Sequence, residues 1–158
     1  MSDTIRLARC GDRAGLATLI HRSVHAGASG AYTPEQLRAW SPEPRSAAEM
    51  AVRLAGQWIV LAEDGAGPAG VFTLTSDGEI DFAYVRADRK GDGLASRLYD
   101  AVLSQARRRG HDALAVQASH VARRFFEKRG WALVATRTVA PNGVEMQNHR
   151  MMVTLAAH

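Results

Sequence analysis

The chain has 158 residues, 46% of them hydrophobic and 23% charged, a balance that excludes a disordered segment and leaves enough apolar side chains for a core. The net charge of +4 and a pI near 9.8 suit an anionic ligand, yet no basic tail or aromatic-interleaved motif marks a dedicated nucleic-acid binder. Cys10 is the one cysteine, which excludes an internal disulfide and fits a reducing cytosol. No apolar run reaches the roughly 18 residues of a membrane span, and Met1–Arg6 holds no apolar leader, so the expected location is cytoplasmic.

Taken in order, Thr4–Arg9 alternates polar and apolar residues and predicts a first strand. Asp12 offers a cap for a helix to about Ala26, with Leu16, Leu19, Ile20 and Val24 on its buried face and Gly27 and Gly30 closing it. Thr33-Pro34-Glu35-Gln36 combines a capping residue, a first-turn proline and a glutamine three residues after the threonine, the pattern of a reciprocal capping box. That helix ends near Trp40-Ser41-Pro42, and Ser46 begins a short one to about Leu54. Strands follow at Trp58–Ala62 and Gly70–Thr75, joined by the turn Gly65–Pro68.

Glu79–Val85 reads as a strand rich in β-branched and aromatic residues. After it come Arg89-Lys90-Gly91-Asp92-Gly93-Leu94-Ala95 and then a helix with Leu94, Leu98, Ala101, Val102 and Ala106 on one side. Arg107-Arg108-Arg109 reads as its solvated last turn. Ala113–Ala118 predicts a short buried strand. Ser119 then caps a helix with Val121, Ala122, Phe125 and Phe126 apolar, and Gly130 ends it. Trp131–Val139 and Val144–Leu155 predict two final strands around Ala140–Gly143. The pattern predicts an α/β fold (an α+β mixed sheet) in one domain over 1–158, with six or seven strands and helices on both faces.

A strand, a glycine-rich turn and a helix start together make a place where backbone N–H groups converge on an anion. Glycines at such a point also serve as a plain tight connection, and both readings stay open for the loop alone. The P-loop spacing is absent, and Gly91-x-Gly93 lacks the third glycine of the dinucleotide fingerprint.

Lys90-Gly91-Asp92-Gly93-Leu94-Ala95 resembles the Arg/Gln-x-x-Gly-x-Gly/Ala motif of the GNAT superfamily of acyl-CoA-dependent N-acetyltransferases, with lysine in the first position. Ala118–Trp131 resembles the second CoA motif of that family, with Ser119 for the usual asparagine and Phe126 for the usual tyrosine. Ala31–Trp40, Ile80-Asp81, Phe125-Phe126 and Met151 resemble a bacterial subgroup of it. The resemblance covers nearly the whole chain. It implies a GNAT fold, acetyl-CoA as co-substrate and an amine acceptor; it also admits a homodimer and gives no reason to expect a nucleic-acid or membrane partner.

The resemblance carries over Val85 as backbone partner of the pantetheine arm. Lys90, Gly91, Asp92, Gly93, Leu94 and Ala95 then form the diphosphate cradle, with the Asp92 side chain expected to point to solvent. Ser119 is expected on the pantetheine, Phe126 beside the thioester, and Arg123 or Arg124 on the CoA phosphates. The acceptor site is expected from Tyr32, Trp40 and His149. His21, His25, His111 and Cys10 show no metal-ligand spacing, so no metal is assigned.

Chemistry narrows the catalytic groups. An alkyl amine of pKa near ~10.4 must lose a proton before it attacks a thioester. Strand alternation puts Glu79, Asp81 and Ala83 on one face and Ile80, Phe82 and Tyr84 on the other, and a carboxylate inside a strand is costly without a purpose. The 79 and 81 positions match those where several GNAT enzymes place a catalytic base, so Asp81 is the first candidate and Glu79 the second; a purely structural pairing with an arginine or histidine is the open alternative for each. Phe126 has no proton to give the leaving thiolate; solvent, Tyr32, Tyr84 and His120 are the alternatives. The competing readings are an acyl-CoA-binding module with little catalysis and a basic nucleic-acid protein.

Overall fold

The computed structural model describes residues 3–28 and 30–155, so Met1 and Ser2 of the leader reading lie outside it. Seven strands form one mixed sheet in the order β1-β2-β3-β4-β5-β7-β6. They are β1 (Thr4–Leu7), β2 (Trp58–Asp64), β3 (Gly67–Leu74), β4 (Glu79–Val85), β5 (Ala113–Ala118), β6 (Ala132–Val139) and β7 (Met146–Thr154). Five helices connect them: α1 (Arg13–Gly27), α2 (Pro34–Trp40), α3 (Ala47–Arg53), α4 (Leu94–Arg108) and α5 (His120–Glu127).

Local chemistry fixes the helix starts. Thr33 and Ser46 each complete a capping box, accepting from the backbone N–H of Gln36 and Glu49 while those side chains accept from the cap N–H. Asp12 departs from the expectation. It precedes α1, but its carboxylate accepts from the Arg9 N–H and from both terminal guanidinium nitrogens of Arg6 instead of capping the helix. Those bonds hold its carboxyl down at a pKa of about 2, chiefly through Arg6.

Each face of the sheet is covered. On one side α4 buries Leu94, Leu98, Tyr99, Val102 and Ala106, and α5 buries Phe126, against Phe72, Leu74, Ile80, Leu114 and Met151. On the other, Leu16, Leu19 and Ile20 of α1 and Met50 of α3 meet Leu61, Val71 and Phe82. Tyr99, which the apolar spacing passed over, accepts the Trp131 indole N–H at 2.8 Å inside the first of these cores. α2 packs through Leu37 with Val24, Tyr32 and Met146 beside the last strands.

Two irregularities of β4 decide where function can sit. First, Leu74 pairs with Ile80 but Phe72 with Ala83, so Thr73 alone opposes both Asp81 and Phe82. This is a β-bulge, and the buried Thr73 hydroxyl accepts the Phe82 N–H at 3.0 Å. The bulge corrects the alternation expected from sequence. Ile80, Ala83 and Val85 pack with the α4 core, whereas Phe82 and Tyr84 pack with the α1 core. Second, β4 pairs with β5 in parallel only at Glu79–Ala115 and Ile80–Val116, so the strands are unpaired toward their C-terminal ends.

Candidate active site

Two cavities meet where β4 and β5 part. The first, about 580 Å³, runs past Ala83, Tyr84 and Val85 to the loop after β4 and along α5. The second, about 820 Å³, is enclosed by α1, α2, α3 and the ends of β4, β5 and β7. Val24, Trp40, Tyr84 and Ser119 line both.

The glycine loop forms the polar end of the first cavity. Gly91 and Gly93 hold φ of +81° and +88°, in the left-handed region, and a Cβ on either would meet open space. The backbone N–H groups of Gly91, Gly93, Ala95 and Ser96 find no acceptor among the described residues. With the start of α4 behind them, they present a ready anion cradle. Cations surround it: Lys90, Arg124 and Lys128 line the cavity, and Arg129 lies flat on the Phe125 ring at 3.5 Å. Arg124 makes no ion pair among the described residues, whereas Arg123 is spent on Glu127. Lys128 and Arg129 were not foreseen from sequence, since helix-end cations carry no signal of which way they point.

Three of the expected cradle residues behave otherwise. Lys90 reaches back to the Gly27 carbonyl at 3.2 Å, so its ammonium also caps the C-terminal end of α1. Asp92 does not simply face solvent. Its carboxylate accepts the Leu94 N–H at 3.1 Å and pairs with Arg89, removing one donor from the cradle while fixing the turn. Leu94 itself is buried in the core and lines neither cavity. An arginine network that the sequence did not announce locks this loop. Arg89 binds Asp3, Asp64 and Asp92, and Arg86 binds Asp64 and Asp88. The two guanidinium groups hold the Asp64 carboxyl far below the usual carboxylate range.

The second cavity holds the carboxylates. Asp81 and Glu79 both line it, together with Phe82 and Tyr84 that the bulge turned to this side. The Asp81 oxygens accept from Arg53 and from Gln57, each at 2.7 Å. Glu79 is paired through one oxygen with Arg150. Asn148, also on the wall, has a buried side-chain oxygen with no partner among the described residues, and nothing in the sequence marked it.

Of the residues expected to meet the acceptor, Tyr32 and Trp40 line this cavity, packed edge to face with ring centroids 5.7 Å apart. His149 lines neither cavity. It is buried on the opposite face of β7 from Asn148, with its Nε2 2.7 Å from His120 Nδ1 and its Nδ1 3.0 Å from Thr136 Oγ1. Burial, with Arg123 and His120 nearby, lowers its pKa. Ser119 accepts the Ala122 N–H as the cap of α5 and stands at the junction. Phe126 lines the first cavity from within the core, its ring 4.8 Å from that of Trp131. Among the described residues no cluster of His, Cys, Asp or Glu has the arrangement of a metal site, and no helix is long and apolar enough to cross a membrane.

The mixed sheet opens between two strands, with a glycine loop at one end of the opening and two carboxylates at the other. A family model, the acetyltransferase (GNAT) domain, matches residues 28–153, and the chain belongs to that family. A GCN5-related N-acetyltransferase from Rhodopseudomonas palustris, whose structure is also described as an aminotransferase class-II, is 32% identical. It superposes with a TM-score of 0.90 over 98% of this chain and 97% of its own. The uncharacterized N-acetyltransferase YafP of Escherichia coli K12 is 28% identical over 147 residues, 93% of each chain. PaiA N-acetyltransferase from Thermoplasma acidophilum, solved in complex with coenzyme A, shares the fold at 16% identity. Its TM-score is 0.78, over 98% of this chain and 100% of its own.

Proposed function

We propose that this chain moves an acetyl group from acetyl-CoA to a primary amine by direct attack in a ternary complex. The observation that carries the reading is the meeting of the two cavities at Val24, Trp40, Tyr84 and Ser119. A donor in the first and an amine in the second would touch there without a covalent enzyme intermediate. The residues present fit CoA: free N–H groups and Arg124 and Lys128 suit its phosphates, and the apolar stretch past Ala83, Val85 and Phe126 suits its pantetheine arm. Family membership and the coenzyme A bound to the Thermoplasma relative support the same assignment.

In this reading Asp81 and Glu79 draw the ammonium into the second cavity and accept the proton that it must lose. Both Asp81 oxygens already accept one hydrogen bond, which orients the carboxylate and leaves each a second lone pair for the amine or a relaying water. Tyr32, Trp40 and Phe82 give the acceptor an aromatic wall. His149 serves that wall from behind, by holding His120, whose ring stacks on Tyr32 at 4.5 Å.

The test is thiol release from acetyl-CoA against a panel of amines: amino acids, polyamines, amino sugars, aryl-alkyl amines and peptides. Release that depends on one class of amine, with the matching N-acetyl product by mass, is expected. No release above background with any amine would leave an acyl-CoA-binding protein with little catalysis.

A further inference from the structure

The leaving thiolate lacks the partner that the second CoA helix would give it, because Phe126 has no hydroxyl. We infer that Tyr84 takes that place, donating its phenolic hydrogen bond to the departing sulfur at the junction of the two cavities. The inference rests on the acetyl-CoA reading above and deepens it.

Tyr32 and His120 are already engaged. Tyr32 donates its hydroxyl to the Gln147 carbonyl at 2.7 Å and accepts the His120 N–H at 3.1 Å. His120 has its Nδ1 on His149 and its ring against Tyr32. Ser119 Oγ accepts the Ala122 N–H and keeps its own hydrogen, but an alkyl hydroxyl is a weaker donor than a phenol. Of Tyr32, Tyr84 and His120, Tyr84 alone lines both cavities, and its hydroxyl makes no hydrogen bond among the described residues.

The bulge explains why it is there. Without the extra residue opposite Thr73, strand alternation would put Tyr84 on the face away from Asp81; with it, Phe82 and Tyr84 join the cavity side. Burial raises the Tyr84 pKa above the ordinary phenol value, with Arg45 and Arg53 opposing and the Asp81 charge adding to the rise, so the hydroxyl is a protonated donor at neutral pH. A fixed neutral donor aimed at a developing anion stabilises it more in the low-dielectric surroundings of a protein than in water.

The step balances without a second acid. The amine lone pair forms the C–N bond, the C–S bond breaks, and its electron pair leaves on sulfur. Tyr84 keeps its proton and shares it with the thiolate through the hydrogen bond. Nitrogen sheds two protons, one from the ammonium before attack and one after the C–N bond forms; each passes through Asp81 to solvent, and the thiolate takes one from solvent on release.

The experiment reads the sulfur itself and needs no acceptor. Coenzyme A is bound to the wild type, to Tyr84→Phe, to Trp40→Phe and to Tyr32→Phe, and the thiol is titrated by its ultraviolet thiolate absorbance. Loss of a hydrogen bond to the charged form should raise the bound thiol's midpoint in Tyr84→Phe by about one to two pH units. Trp40→Phe removes an indole N–H at the junction that has no acceptor among the described residues, and it and Tyr32→Phe should titrate like the wild type. Identical midpoints in Tyr84→Phe and wild type, at saturating coenzyme A and with both folded by circular dichroism, would overturn the inference. A rise in Trp40→Phe alone would do the same. If coenzyme A binds none of the four proteins, the acetyl-CoA reading itself falls, and this inference with it.

Discussion

Alanine at Gly93 separates the shape of the cradle from its occupancy. Gly93 sits at φ +88° immediately before α4, and a Cβ added there would meet no protein atom within 4 Å. The cost to folding is then the left-handed backbone alone, about 1–2 kcal/mol. The cost to a ligand is separate, because Gly93 lines the first cavity together with Gly91, Ala95 and Ser96, and a Cβ there fills space open to a ligand that would accept from their free N–H groups. Loss of one hydrogen bond to a charged oxygen is worth roughly 1.5–3 kcal/mol, so acetyl-CoA affinity should fall by at least about tenfold. Gly110 supplies the control: at φ +78°, just past α4 and equally open, it lies outside both cavities. Urea unfolding should find Gly93→Ala and Gly110→Ala destabilised alike, while calorimetric titration should find only Gly93→Ala impaired in binding acetyl-CoA. Equal affinity in the two variants would refute the cradle.

Three further predictions follow from the site. Asp81→Asn should lower kcat by about 10²–10⁴-fold in steady-state assays with the identified amine while leaving acetyl-CoA affinity unchanged, and Glu79→Gln should have a smaller effect in the same direction. Arg124→Ala should weaken CoA binding and flatten its salt dependence, read by titration at two ionic strengths, because Arg124 is a cavity cation with no carboxylate of its own. His149 is held below its ordinary 6.5 by burial, so the unfolded chain binds the proton more readily than the native one. Its contribution to stability is complete above that unfolded value and is lost as the pH falls below it, a slope that His149→Gln should reduce in urea unfolding at each pH.

Much of this fold was legible because local signals agreed with it. Thr33, Ser46 and Ser119 start helices where their capping patterns put them, and Leu98, Val102 and Ala106 face the core at helical spacing. The glycine loop and the two carboxylates were also readable, since few residue types suit a left-handed turn or stand inside a strand. The bulge was not. It depends on how β3 and β4 pair around Thr73, a nonlocal register that no residue in either strand declares, and it reassigns Phe82 and Tyr84 to the other face. His149 failed as a wall residue for a related reason. Strand parity relative to Asn148 decides which of the two faces the cavity, and only the pairing of β7 with β5 and β6 sets that parity. The Arg89 network joins Asp3, Asp64 and Asp92 across distant segments, beyond the reach of any spacing rule.

The most direct test of the account is thermal unfolding with acetyl-CoA, run beside desulfo-CoA and dephospho-CoA. A ligand bound only by the native state at ~100 times its Kd adds roughly 2.7 kcal/mol, which for a chain of this size raises Tm by roughly 5–10 °C. The account predicts that rise with acetyl-CoA, a similar one with desulfo-CoA, and a smaller one when the 3′-phosphate is missing. No shift at millimolar acetyl-CoA would contradict it, leaving the Lys90–Ala95 loop a turn that binds nothing.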